Sequence, residues 1–105
     1  MIKRLDVSWD ESARSDLQSI FDYIAGASQN FDIALKFVSR IEARCEKIGS
    51  APSGGRPRDD ILPGLRIVPF EHSTVILYVV ENDRVRITNI FYGGREYEAL
   101  LGEKP

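Results

Sequence analysis

A chain of 105 residues with 43% hydrophobic composition fits one domain, residues 1–105, large enough to bury roughly 60 to 70% of the surface its unfolded form exposes. Fourteen Lys and Arg against sixteen Asp and Glu leave a net charge of -2, which excludes a whole-molecule field that gathers nucleic acid while leaving a local basic face open. No apolar run approaches the ~20 residues of a bilayer span, "MIKRLDVSWDES" has no apolar signal core, and the single Cys45 forms no internal disulfide, so a soluble, unexported, cytoplasmic chain is expected.

"IKRLDV" alternates as a first strand, ended by "SWDE", where Ser8 and Glu11 have the spacing of a capping box. Ala13, Leu17, Ile20, Phe21 and Ile24 then recur at helical spacing and share a face, and Trp9 just before them reads as a core anchor. "GASQN" breaks this helix. Asn30 caps a second, in which Phe31, Ala34, Phe37, Val38, Ile41, Cys45 and Ile48 share a face, and Gly49 with Pro52 stops it. So short a link predicts an antiparallel helical hairpin.

"SAPSGGRPRDDILPG" has three prolines and three glycines and continues neither regular structure. Three strands follow, "LRIVPF", "TVILYVVE" and "RVRITNIFY", joined by "EHS" and by "ND", the latter a pair that tolerates the positive φ of a tight hairpin. In the last strand, alternation sends Val85, Ile87 and Phe91 toward the helices, and Arg84, Arg86, Thr88, Ile90 and Tyr92 to the opposite face, which Arg66 joins if the register allows. The middle strand is apolar on both faces and asks for a second cover. The tail "GREYEALLGEKP" reads as a short helix whose Tyr97, Leu100 and Leu101 touch the body. The fold class expected is α+β, β-α-α-β-β-β, with a helical hairpin packed on an antiparallel sheet.

"ARSDLQSIFDYIA" together with the stretch from "ALKFVSRIEARC" through "GRPRDDILPGLR" to "IFYGGRE" resembles the ParE branch of the RelE/ParE toxin superfamily over nearly the whole chain. Where relatives often carry a histidine before the glycine near the end, this chain has Tyr92. The resemblance implies the same fold, a ParD-like antitoxin encoded by the adjacent gene, contact with DNA only indirectly through that antitoxin, and poisoning of DNA gyrase. The RelE branch implies an alternative, ribosome-dependent mRNA cleavage, and a non-toxic antitoxin-binding relative is a third reading.

Cleavage of RNA needs a base for the 2'-hydroxyl, cations for the phosphorane and an acid for the leaving oxygen. His72, the only histidine, reads as a turn residue, Tyr92 as packing, and Asp59 and Asp60 as turn contacts or ion-pair partners of the nearby arginines. Cys45 lies on an apolar helix face and reads as a core residue, and no His/Cys cluster has metal-ligand spacing, so neither metal nor cofactor is expected. The leading expectation is therefore a binding toxin with no catalytic residue. Its target would be met by Arg58, Arg66, Arg86, Tyr92 and Arg95, gathered on one side. Its antitoxin would cover Tyr23, Phe31, Phe70 and Tyr78, aromatic area in excess of what one core needs.

Overall fold

A computed structural model describes residues 4–93. Strand β1 (Asp6–Trp9) leads into helices α1 (Glu11–Ser28) and α2 (Phe31–Ile48), followed by β2 (Arg56–Pro57), β3 (Leu65–Phe70), β4 (Thr74–Val80) and β5 (Arg84–Tyr92). The expected order of elements is present, with β2 as a two-residue addition. The sheet runs β1-β5-β4-β3-β2. Strands β2 to β5 are antiparallel, whereas β1 lies parallel to β5, with Asp6 opposite Arg84 and Trp9 opposite Ile87, so the sheet is mixed. The tail helix expected around Tyr97, Leu100 and Leu101 lies outside the described residues.

The helices form where apolar spacing places them. In α2 the buried set Ala34, Phe37, Val38, Ile41, Cys45 and Ile48 makes one stripe, and Asn30 Oδ1 accepts from Ile33 N at 3.1 Å as the expected cap. Helix α1 runs through Gly26 and stops only at Gln29, which takes the left-handed conformation (φ 56). Its start differs from the expected capping box. Ser8 is held in β1 opposite Arg86, and the N-cap residue is Asp10, whose carboxylate pairs with Arg86 and makes no cap hydrogen bond.

Two cores share the sheet. On the helix side Ile76, Tyr78, Val85, Ile87 and Ile90 meet Ala13, Ile20, Phe37, Ile41, Cys45 and Ile48, with Trp9 packed against them. On the other side Leu65, Ile67, Leu77 and Phe91 cluster with Ile61, Val75 and Val79. The double-sided apolar middle strand thus serves two cores.

The alternation expected for β5 breaks at Thr88. Leu77 pairs with Asn89 while Tyr78 pairs with Ile87, which leaves Thr88 as the extra residue of a β-bulge. One inserted residue flips every later side chain to the other face. Ile90 and Tyr92 therefore pack toward the helices and Phe91 away from them, the reverse of the plain period-2 reading. Helix α1 holds this irregularity: Ser12 Oγ donates to the Thr88 carbonyl at 2.6 Å, and one turn on, Asp16 Oδ2 accepts from Ile90 N at 2.9 Å and from Asn89 Nδ2 at 3.3 Å.

The hairpin turns also differ from expectation. Positive φ falls on Glu71 (48°) and His72 (65°), not on Asn82 and Asp83. Phe70 pairs with Thr74 across three residues, whereas Val80 pairs with Val85 across four, and the shorter link is the one that needs the left-handed conformations.

Removing the Asp16 carboxylate would leave the Ile90 N–H at a half-buried position without its acceptor, a loss of about 1 to 3 kcal/mol. Asp16→Ala is expected to lower the urea midpoint accordingly at unchanged m-value, and Asp16→Asn, which keeps an acceptor oxygen, to lose less.

Candidate interaction surfaces

The connection before β3 is a built turn. Asp59 Oδ1 accepts from Gly64 N at 2.8 Å, Gly64 takes φ +82°, and Arg58 N donates to the Leu65 carbonyl at 2.8 Å. The Arg58 guanidinium engages Asp60 through two hydrogen bonds of 2.9 and 2.8 Å and is largely covered, and this contact holds the Asp60 carboxyl down at about 2, well below the ordinary range. Arg66 is committed to the backbone, its Nη1 donating to the carbonyls of Ser53 (3.1 Å) and Gly55 (2.7 Å).

Beside it lies Tyr78, fully buried, whose hydroxyl donates to the Pro52 carbonyl and accepts from Gly55 N, both at 2.8 Å. Burial raises its pKa, opposed by the Gly55 hydrogen bond. A Cβ on Gly55 would stand 2.5 Å from that hydroxyl oxygen, so the position accepts only glycine while the ring stays in place. Together these contacts tie the loop between α2 and β3 to the centre of the sheet.

Two expectations about sites are corrected by this arrangement. Tyr78, expected on the antitoxin-binding surface, is a core residue with both hydrogen-bonding capacities of its hydroxyl used. Arg58, Arg66, Arg86 and Tyr92 do not share one side. Arg66 pairs across the strands with Tyr78 and so projects on the helix side, while Arg86 pairs with Val79 on the other, where it bridges Asp10 and Glu81. The bulge carries Tyr92 to the helix side as well, but into an aromatic cluster. Arg95 lies outside the described residues.

That cluster is the most distinctive surface. Tyr92 sits between Tyr23 (centroids 5.8 Å apart) and Phe37 (5.6 Å), Phe37 reaches Phe70 (6.1 Å), and Arg40 lies over the Phe37 ring at 5.3 Å. At the tip of the helical hairpin Phe31 meets Phe21 edge to face at 5.0 Å and is still 67% exposed; Tyr23 at 63% and Ile33 at 50% are exposed as well. Of the four expected antitoxin contacts, Phe31 pairs with Phe21, which lines a different hollow with Leu35 and Val38, whereas Tyr23 and Phe70 belong to this cluster with Tyr92. Ile33, Lys36 and Arg40 share it and were not singled out from sequence. Their signal was an apolar residue off the core stripe of α2 followed by cations four residues apart.

His72 is exposed on the β3–β4 turn. Among the described residues no group of three or more His, Cys, Asp or Glu side chains is placed to hold a metal, and no helix is long and apolar enough to cross a membrane.

The comparisons with known proteins agree with this architecture. The family model described as ParE toxin of type II toxin-antitoxin system, parDE, matches residues 7–97, and the chain belongs to that family. It is a ParE-type toxin of a type II toxin-antitoxin system. Ten chains of known structure match, among them one from the chromosomal ParDE TA system from P. aeruginosa, 22% identical over 86% of this chain and 97% of that one, with a TM-score of 0.74, a likeness of fold. A search of curated proteins finds no match.

Burial pushes the Cys45 thiol up to about 12 from an ordinary value of about 8.5. The native state keeps this proton where the unfolded chain releases it, so the contribution to stability is intact below about pH 8.5 and is lost as pH rises toward 12. A disulfide-exchange reagent at pH 8 is expected to leave Cys45 unlabelled in the folded protein and to label it fully in urea, and Cys45→Ala should flatten the alkaline decline in stability.

Proposed function

We propose that this ParE-family chain disables DNA gyrase by binding it, without chemistry of its own, that a ParD-like antitoxin from the adjacent gene neutralises it in the cytoplasm, and that it meets DNA only through that antitoxin. The family match over residues 7–97 carries the reading. The placement of the ionisable groups supports it. A nuclease needs base, acid and cations around one phosphate. Here His72 stands on an exposed turn, Arg66 is spent on two backbone carbonyls, Arg58 engages Asp60, and Arg86 faces away from Arg66. A binding surface requires no such convergence.

Target recognition is assigned to Arg86 and Arg95 before Arg66, because reversing the charge at Arg66 would set a carboxylate against the carbonyls of Ser53 and Gly55 and disturb the loop itself. Purified protein is expected to inhibit gyrase supercoiling in proportion to its concentration and to arrest growth when expressed without antitoxin. Arg95→Glu should relieve both while circular dichroism and antitoxin binding stay unchanged, and His72→Ala should alter neither by more than about twofold. Unaffected gyrase together with ribosome-dependent mRNA cleavage that His72→Ala or Tyr92→Phe abolishes would transfer the chain to the nuclease reading.

A further inference from the structure

Separate from the aromatic cluster, a groove between α1 and α2 holds a hollow of about 430 Å³. Leu17 and Phe21 of α1 and Leu35 and Val38 of α2 line it, together with Arg14 on the first helix and Glu42 on the second. The sequence explains the groove. Beside its core stripe, α2 carries Phe31, Leu35, Val38 and Glu42 at steps of four, three and four, the heptad spacing of a helix that packs on another helix. Helix α1 answers with Arg14, Leu17 and Phe21 at steps of three and four. The chain leaves much of this face uncovered, with Leu35 46% exposed. Both stripes are apolar toward the hairpin turn and end in a charge away from it, a cation on α1 and an anion on α2. Among the described residues neither the Arg14 guanidinium nor the Glu42 carboxylate has a hydrogen bond or an ion pair.

We propose that this face docks on a second copy of the same chain, giving a two-fold dimer held by a layer of four helices. Charge selects both the occupant and its orientation. The helices run antiparallel, so residues 14 and 42 stand at nearly the same height on the hairpin. A two-fold axis along the groove sets α1 of one copy over α2 of the other and preserves height. Arg14 of each copy then meets Glu42 of the other, and Leu35 of each comes within a turn of the other's Phe21. An axis across the groove would stack α1 on α1 and carry Arg14 toward the other copy's hairpin turn, away from Glu42. A foreign helix would need both signs of charge side by side to satisfy the same two groups.

The area agrees with a reversible pair. Helices of 18 residues side by side present a face of roughly 27 Å by 20 Å, so covering it on both copies removes about 1,100 Å², near the lower bound of specific interfaces. Both hairpin turns point the same way in this dimer, which therefore carries its two aromatic clusters side by side.

Sedimentation velocity of the wild-type chain is expected to show monomer giving way to dimer at tens of micromolar, the strength that suits so small an interface. Arg14→Glu and Glu42→Arg, both at exposed positions, should each weaken the dimer on the order of tenfold, because the two-fold axis changes two contacts at once. Mixed in equal amounts, the two variants should form a heterodimer as tight as the wild-type pair, since opposite charges again meet at both contacts. Leu35→Asp, with circular dichroism as the control for folding, should leave monomer throughout.

A wild-type chain that stays monomeric up to about 1 mM, a dimer untouched by Leu35→Asp, or a mixture no tighter than either charge variant alone would overturn the proposal. A monomeric wild-type chain whose Leu35→Asp variant no longer co-purifies with the product of the adjacent gene would assign the groove to that partner and overturn the dimer as well.

Discussion

The structure turns on the grip of α1 on the irregular residue of β5. A β-bulge leaves backbone groups out of the ladder, and unpaired groups at a partly buried position are costly. Ser12 and Asp16, one helical turn apart, supply a donor and an acceptor at the spacing the strand requires. Strand β1 ends at Trp9, Asp10 N makes one further bond to the Ile87 carbonyl, and the α1 side chains then continue along β5. Because the bulge reverses the facing of everything after it, this clasp sets Tyr92 against Tyr23 and Phe37 and turns Phe91 to the far core. The aromatic end of the molecule follows from two polar side chains some distance from it.

A second constraint acts at the opposite end of the sheet. Tyr78 passes through the helix-side core and ends on the loop after α2, where its hydroxyl and the Arg66 guanidinium satisfy four different backbone groups from Pro52 to Gly55. A buried hydroxyl is tolerated only when so paired. The turn-rich connection then continues through Asp59 and Asp60 without losing shape. Arg58, Asp59 and Asp60 are thus consumed in making the connection.

Much of this architecture was legible in the residues. The 3.6-residue period marked both helices, Asn30 announced the second, and the composition from Leu65 to Tyr92 marked three strands. What was hidden has physical causes. Alternation assumes an uninterrupted strand, and nothing in "RITNIFY" betrays an inserted residue whose partners lie in α1. Ser8 and Glu11 had the spacing of a cap, but strand pairing claimed Ser8 first. Asn82-Asp83 had the chemistry of a tight turn, yet register gave the tight turn to Glu71-His72. Tyr78 counts as surplus aromatic area in the sequence because its two hydrogen-bonding partners, Pro52 and Gly55, are distant along the chain and cannot be seen from the strand. Membership of the family was visible in the motifs.

The parallel pairing of the first strand with the last has a temporal consequence. Asp6 finds its partner at Arg84, and the hydroxyl of Ser12 and carboxylate of Asp16 wait for Thr88 and Ile90. Contacts between segments so far apart in sequence form late, after the entropy of closing the intervening chain has been met. During synthesis β1 and the helical hairpin emerge first, and the hairpin stands without the strand that its inner face is shaped to cover. The finished surface can exist only once β5 has cleared the ribosome, so the interval between translation and a competent toxin is set by topology.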